Sequence, residues 1–203
     1  RGEKAAKLTV VPLKGWKRSM TFDKTGMPWV LPSPHIPQPA TAFYYPATGI
    51  LGELYYVSIG VGYTLPFQLI CADWIDADKF AERMNALNLP GTKFRPIHVK
   101  PFYGTGKGEN LQGVQFYVDD VPGSSLTLIQ FYAMQELAKL YPEKRIFDTA
   151  TDKSRCDMFD KVCGTDKIRT LFSKNYQVSD MIDYWNKDAE AFKEKAKKYY
   201  LYK

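Results

Sequence analysis

Cysteine and histidine are both scarce in this chain, with three and two copies among 203 residues. Cys71, Cys156 and Cys163 are too few for a disulfide-stapled scaffold, and their spacings match no zinc pattern. Pairing of Cys156 with Cys163 in an exported protein stays open at this level. No apolar run is long enough to cross a bilayer and no signal peptide is visible, so no membrane span is expected. A G-x-S-x-G elbow is missing, and neither a serine nor a cysteine has another recognisable nucleophile context. The glycine-rich Gly104-Thr-Gly-Lys-Gly108 fails the phosphate-loop pattern: Lys107 is followed by Gly108 rather than Ser or Thr, and no glycine stands five residues before Gly106. It reads as a flexible connection between strands. No cofactor and no metal are expected.

Charge excludes little more. The net charge is +6, and much of the excess sits at Lys193, Lys195, Lys197, Lys198 and Lys203. A basic tail can bind nucleic acid, but no nucleic-acid motif accompanies this one, and lysines at a helix C-terminus suit the macrodipole. No nucleic-acid partner is expected.

Proline and aromatic residues are abundant, and they are abundant together. Between Trp16 and Phe67 lie seven of the 13 prolines and ten aromatic side chains. A disordered linker is rich in proline but poor in aromatics, having no core to bury them in. The segment is therefore expected to be ordered and mostly irregular, and long ordered loops tend to be functional. Around it, Leu8–Leu13 and Pro66–Ala72 read as strands. Asp76 reads as the N-cap of a helix through Leu87, with Ile75 and Phe80 as a hydrophobic staple. Lys93–Phe102 and Gln112–Val118 read as strands. On the first, Ile97 and Val99 face one way while Phe94, Pro96 and His98 face the other. Helices follow from Ser125 to Tyr141, after Thr165, and from Ser179 through Phe192. Strands and helices mix without strict βαβ alternation. The expected class is α+β, a mixed sheet with flanking helices and a long ordered proline- and aromatic-rich segment, forming one domain over residues 1–203.

Hydrolysis of a glycosidic bond usually needs two carboxyl groups flanking it. Glu53 and Glu109, the two glutamates in expected loops, read as exposed charges or helpers, so no catalytic set is convincing. Saccharide binding needs less: flat aromatic faces stack on sugar rings while neighbouring polar groups fix orientation. Of Trp16, Trp29, Tyr44, Tyr45, Tyr63 and Tyr103, the choices are Trp29, Tyr45 and Tyr63, held in loops by adjacent proline or glycine. Ser33, His35 (pinned in Pro34-His35-Ile36-Pro37), Thr48, Thr64, Tyr103 and Lys107 complete the candidate binding set. His98, in mid-strand, reads as structural.

Several short motifs occur in a shared order: Gly15-Trp16-Lys-Arg18, Leu31-Pro32-Ser33-Pro34, Tyr45-Pro46-Ala-Thr48-Gly49, Gly62-Tyr-Thr64-Leu-Pro66-Phe67, Ala72-Asp-Trp74-Ile75-Asp76, Leu89-Pro90-Gly91, Phe94-Arg95-Pro96, Gly113-Val114-Gln115, Gly164-Thr165-Asp166 and Tyr200-Leu201-Tyr202. In this order they resemble the exo-β-N-acetylmuramidases of the NamZ type, over nearly the whole chain. The resemblance implies an enzyme that removes N-acetylmuramic acid from non-reducing ends of peptidoglycan fragments in cell-wall turnover. It also implies an N-terminal Rossmann-like domain with a catalytic glutamate in a Glu-His-Gly context, a motif this sequence lacks. The chain accordingly resembles the C-terminal auxiliary domain, whose partners are a peptidoglycan-derived saccharide and the missing N-terminal domain. A chain opening on Arg1 and entering a strand by Leu8 fits that expectation. A wall substrate implies a periplasmic or secreted protein. Many members have Asn after Ser-Pro, where this chain has His35. Many also carry acidic and arginine side chains near the glycines where Ile59, Val61 and Leu65 stand here, so groups able to grip a lactyl carboxylate are lost. The competing reading is a non-catalytic module that binds cell-wall glycan.

Overall fold

The computed structural model describes residues 6–149 and 152–202. By its contacts the chain divides into two compact units, Val30–Lys187 and the pair of segments Arg1–Trp29 and Asp188–Lys203.

The larger unit is built on a three-stranded sheet: β1 (Leu69–Ala72), β2 (Thr92–Val99) and β3 (Leu111–Val118), in the order β1-β3-β2. Both pairings are antiparallel, where a mixed sheet was expected. The connections explain the difference: β2 and β3 form a hairpin, and a parallel pair would need a crossover. The α+β class holds. Alternation along each strand sorts side chains by face. Ile70, Ala72, Phe94, Val114 and Phe116 enter the main core, while Leu69, Cys71, Val99 and Leu111 form a second small cluster under Tyr63 and Leu65. The expected split of β2 is therefore observed, with Phe94 on one face and Val99 on the other, although His98 is exposed rather than packed.

Three helices cover the main face. In α1 (Thr41–Gly52), Ala47, Ile50 and Leu51 are buried. This helix occupies a stretch expected to be irregular. Pro46 lies within it and carries no N–H, but Gln130 supplies outside partners: its Nε2 donates to the Pro46 carbonyl at 2.9 Å, and its Oε1 accepts from Leu51 N at 3.0 Å. In α2 (Ala77–Ala86), Asp76 caps as expected, its Oδ1 accepting from Lys79 N at 3.0 Å, and Ile75 and Phe80 are both buried. In α3 (Leu126–Leu140) burial is nearly all round, including Gln130, Gln135 and Glu136. Glu136 is held by Arg83 at 2.6 Å, Lys139 at 2.7 Å and Gln135 at 3.0 Å. Burial opposes its ionisation, but these three donors outweigh it and bring the carboxyl below its ordinary value.

The rest of this unit wraps an aromatic cluster: α4 (Ile146–Thr149), α5 (Lys153–Cys163), α6 (Lys167–Phe172) and α7 (Ile182–Asn186). The Phe131 ring packs edge-on against Phe159, Phe172 and Trp185, with Phe147 and Tyr176 extending the set. Asp152 caps α5 by accepting from Ser154 N at 2.8 Å, and Gly164, in the left-handed region, closes it. Cys156 and Cys163 both lie on α5, two turns and roughly 10 Å apart along its axis. That separation excludes the disulfide left open by the sequence. Burial pushes the Cys163 thiol up to about 12, and that of Cys71 likewise. Thr165 lies one residue before the observed N-cap Asp166, and its hydroxyl accepts from Lys167 N at 3.2 Å.

Two expected elements differ. The helix from Ser179 through Phe192 is divided into a 3-10 turn (Val178–Asp180), α7 and α8 (Ala189–Ala196), with Asp188 standing as the cap of the last. Aspartate serves caps better than helix interiors, and Phe192 is exposed rather than buried. The strand expected at Leu8–Leu13 is not formed: the segment has no ladder partner among the described residues, and Leu13 N donates to the Tyr202 hydroxyl at 2.8 Å. Strand propensity without a neighbouring backbone leaves the chain unpaired. Among the described residues no helix is long and apolar enough to cross a membrane.

Candidate saccharide site

Four residues of α1 and its C-cap, Tyr45, Gly49, Gly52 and Glu53, recur at helical spacing and line one side of a cavity of about 330 Å³. The two glycines flatten that face of the helix. The Tyr45 ring lies across Gly49, where an added Cβ would stand 3.2 Å from Cε2. Tyr55, Val57, Ile59, Val61 and Phe67 form the floor and far side, and Gly104 with Thr105 closes the rim. The volume is that of a small-ligand site, apolar with a few polar groups.

The backbone around the cavity is tightly set. Gly62, at φ +98, passes so close to the next loop that a side chain would overlap the Tyr103 carbonyl; its own carbonyl accepts from Phe102 N at 3.0 Å. The loop from Tyr103 to Glu109, expected to be flexible, is closed by its own backbone bonds: Lys107 N to Gly104 O at 3.2 Å, Glu109 N to Gly106 O at 3.0 Å and Gly108 N to Pro101 O at 2.7 Å. Phe67 sits at φ +66, a left-handed conformation that costs a bulky residue on the order of 1–3 kcal/mol. It is held there by Thr48, whose hydroxyl donates to the Phe67 carbonyl at 2.8 Å, and by edge contact with the Tyr45 ring at 4.7 Å. Tyr55 also has positive φ, and the Arg155 guanidinium covers its ring at 4.0 Å.

The residues chosen from sequence do not share one place. Tyr45 lines the cavity and is 52% exposed, but it stands on a helix rather than a loop. Tyr103 adjoins the rim residue Gly104, and its hydroxyl shares a 2.9 Å hydrogen bond with His35 Nδ1; Ser33 Oγ accepts from His35 N at 3.2 Å. His35, Ser33 and Tyr103 are thus brought together. Tyr63 belongs to a separate, open depression with His98, Lys100, Asn110 and Gln112. Thr48 is fully buried with its hydroxyl engaged, a role in holding Phe67 rather than in touching a ligand. Thr64 and Lys107 are exposed and line neither cavity. Trp29 lies in the smaller unit, edge-on to Phe22 at 4.8 Å. Sequence reasoning did not single out Tyr55 or Thr105, and it read Glu53, half-buried at the cavity, as an exposed loop charge or a helper. The 45, 49, 52 and 53 spacing carried the signal, but it has meaning only once that stretch is known to be helical.

Chemically, the cavity offers two exposed phenol rings for stacking, one carboxylate and one hydroxyl. Among the described residues no second carboxylate lines it. Exposed aromatic faces beside a few polar groups are the chemistry that stacks on and orients a ring-shaped ligand. Nor do three His, Cys, Asp or Glu side chains converge anywhere among the described residues as a metal would require.

Comparison with known proteins gives the same family. The model for the C-terminal domain of exo-β-N-acetylmuramidase NamZ matches residues 43–202, and that for the N-terminal domain matches residues 1–40. Peptidoglycan β-N-acetylmuramidase NamZ of Bacillus subtilis is 38% identical over 197 residues, covering 97% of this chain and 46% of that protein. The crystal structure of a DUF1343 family protein from Bacteroides fragilis superposes with a TM-score of 0.90 at 54% identity, covering 93% of this chain and 49% of that one. The chain spans about half the length of each relative. It belongs to the NamZ family of exo-β-N-acetylmuramidases.

Proposed function

We propose that this chain supplies one wall of the saccharide cleft in a peptidoglycan glycoside hydrolase that releases N-acetylmuramic acid from non-reducing ends, and that the bond-breaking acid comes from the rest of a longer protein. The observation that carries the reading is the α1 cavity, where Tyr45 and Tyr55 flank a single carboxylate, Glu53. Stacking surfaces with one acidic group suit binding and orientation, while hydrolysis needs a second carboxyl. Family membership and the β-N-acetylmuramidase activity of the B. subtilis relative support the substrate class. The Tyr103–His35 pair would present its remaining ring nitrogen to substituents of a bound sugar, and a wall substrate suits a periplasmic or secreted location.

The test is turnover of a chromogenic β-N-acetylmuramide by the full-length gene product and by the 203-residue chain. Hydrolysis by the full-length protein alone is the expected result. Glycan binding without hydrolysis by the full-length protein would favour a pure binding module, and robust turnover by the short chain would overturn the reading.

A further inference from the structure

Among its described residues the smaller unit shows no interior. None of them is buried, yet they carry half of the exposed large apolar side chains found among the described residues, in under a quarter of the chain's length. Its first segment shows why this is unusual. Leu8, Val10, Val11 and Leu13 are all exposed, Val11 at 86%, so both sides of an extended stretch are apolar and uncovered. A strand with one wet face alternates apolar and polar residues, whereas a strand buried on both faces reads as a continuous apolar run, as in a parallel sheet covered by helices. Residues 8–13 are nearer the second kind, with Leu8 and Val10 at one parity and Val11 and Leu13 at the other. Its last residue is tied to the chain's other end: Leu13 N donates to the Tyr202 hydroxyl at 2.8 Å, and the Arg18 guanidinium lies 3.7 Å from the centre of the Tyr200 ring. That other end is equally bare, with Phe192, Tyr199 and Leu201 exposed at 65–70%.

We infer that residues 8–13 form a strand in a sheet of the preceding half of the full-length protein, and that the tail from Ala189 to Tyr202 clasps the same half. Two findings name the occupant. Residues 1–40 match the N-terminal domain model, and both relatives are about twice as long as this chain. The tail, by contrast, matches the C-terminal model yet belongs by its contacts with residues 1–29. It reaches back across the boundary between the two models, so the C-terminal half holds the N-terminal one by both of its ends. A preceding segment with an open sheet edge and apolar helix faces fits the apolar side chains of this surface.

Hydrogen exchange on the full-length protein tests this without any substitution. The amides of Val10 and Val11 are expected to be protected as core strand amides are; free exchange at both would overturn the strand. Leu201→Asp tests the clasp. In the full-length protein it should lower the melting temperature and speed exchange at Val10 and Val11 by roughly tenfold or more, as local opening frees them. In the 203-residue chain, where Leu201 already meets water, it should change nothing. Equal effects in the two would overturn the clasp, and Tyr202→Phe, which removes only the bond to Leu13, provides the check should the charged variant fail to accumulate. The inference stands apart from the saccharide reading, so a failed glycan titration leaves it untouched.

Discussion

The two units of this chain use similar residues for opposite ends. In Val30–Lys187, rings such as Phe131, Phe159 and Phe172 are fully buried against one another. In the smaller unit, Phe192, Tyr199 and Leu201 stand in solvent. Composition does not separate the two; position relative to a covering layer does. The larger unit brings its own layers, a sheet face under α1, α2 and α3. The smaller one has the apolar material of a core without the second surface that would make it one.

The sharpest way to probe that contrast is to remove a ring from each side. Phe131→Ala should destabilise the chain by about 3–5 kcal/mol, since transfer and cavity costs add in a site packed on three sides. Phe192→Ala should change urea stability by less than about 0.5 kcal/mol, as expected at an exposed position. Comparable losses would mean that the smaller unit has an interior after all.

A middle-sized effect should come from Glu136. Glu136→Gln leaves Arg83 and Lys139 without their shared carboxylate, but both are partly exposed and can regain water, so about 2 kcal/mol is expected. The pH dependence has a defined sign. The folded carboxyl sits below its ordinary value of 4.5, so its contribution is complete above that value and is lost as pH falls through the depressed one. Acid unfolding of the wild type should therefore steepen below pH 4.5, and the Gln variant should lack that component.

A smaller effect than that of Glu136, read in binding rather than in stability, concerns the cavity. Tyr55→Ala removes an exposed ring under Arg155 and should weaken saccharide binding by about 1–2 kcal/mol while leaving the melting temperature nearly unchanged. Thr48→Val supplies the opposite signature: stability falls as Phe67 loses the hydroxyl that holds its carbonyl, without direct loss of a ligand contact.

The sequence was most legible where periodicity and capping agree. Asp76 with its staple, the parity of β2 and the extent of α3 all appear where their residues placed them. Legibility failed in two ways. Proline and aromatics concealed α1, because Pro46 argues against a helix until Gln130 is seen bonding both Pro46 and Leu51 from another element. Polarity concealed α5, whose only buried residue is Phe159, although Asp152 and Gly164 marked both its ends. The candidate site suffered from the first failure. With Tyr45 assigned to a loop, its helical relation to Gly49, Gly52 and Glu53 had no meaning, and Tyr63 was grouped with it across what proves to be a different depression. Ordered short motifs reached the family, because they do not depend on local geometry.

Titration of the isotope-labelled 203-residue chain with N-acetylmuramic acid, followed by amide chemical shifts, tests the cleft most directly. The account predicts shifts concentrated at Tyr45, Gly49, Glu53, Tyr55, Gly104 and Thr105. Shifts confined to Tyr63, His98 and Asn110, or none at saturating sugar, would contradict it.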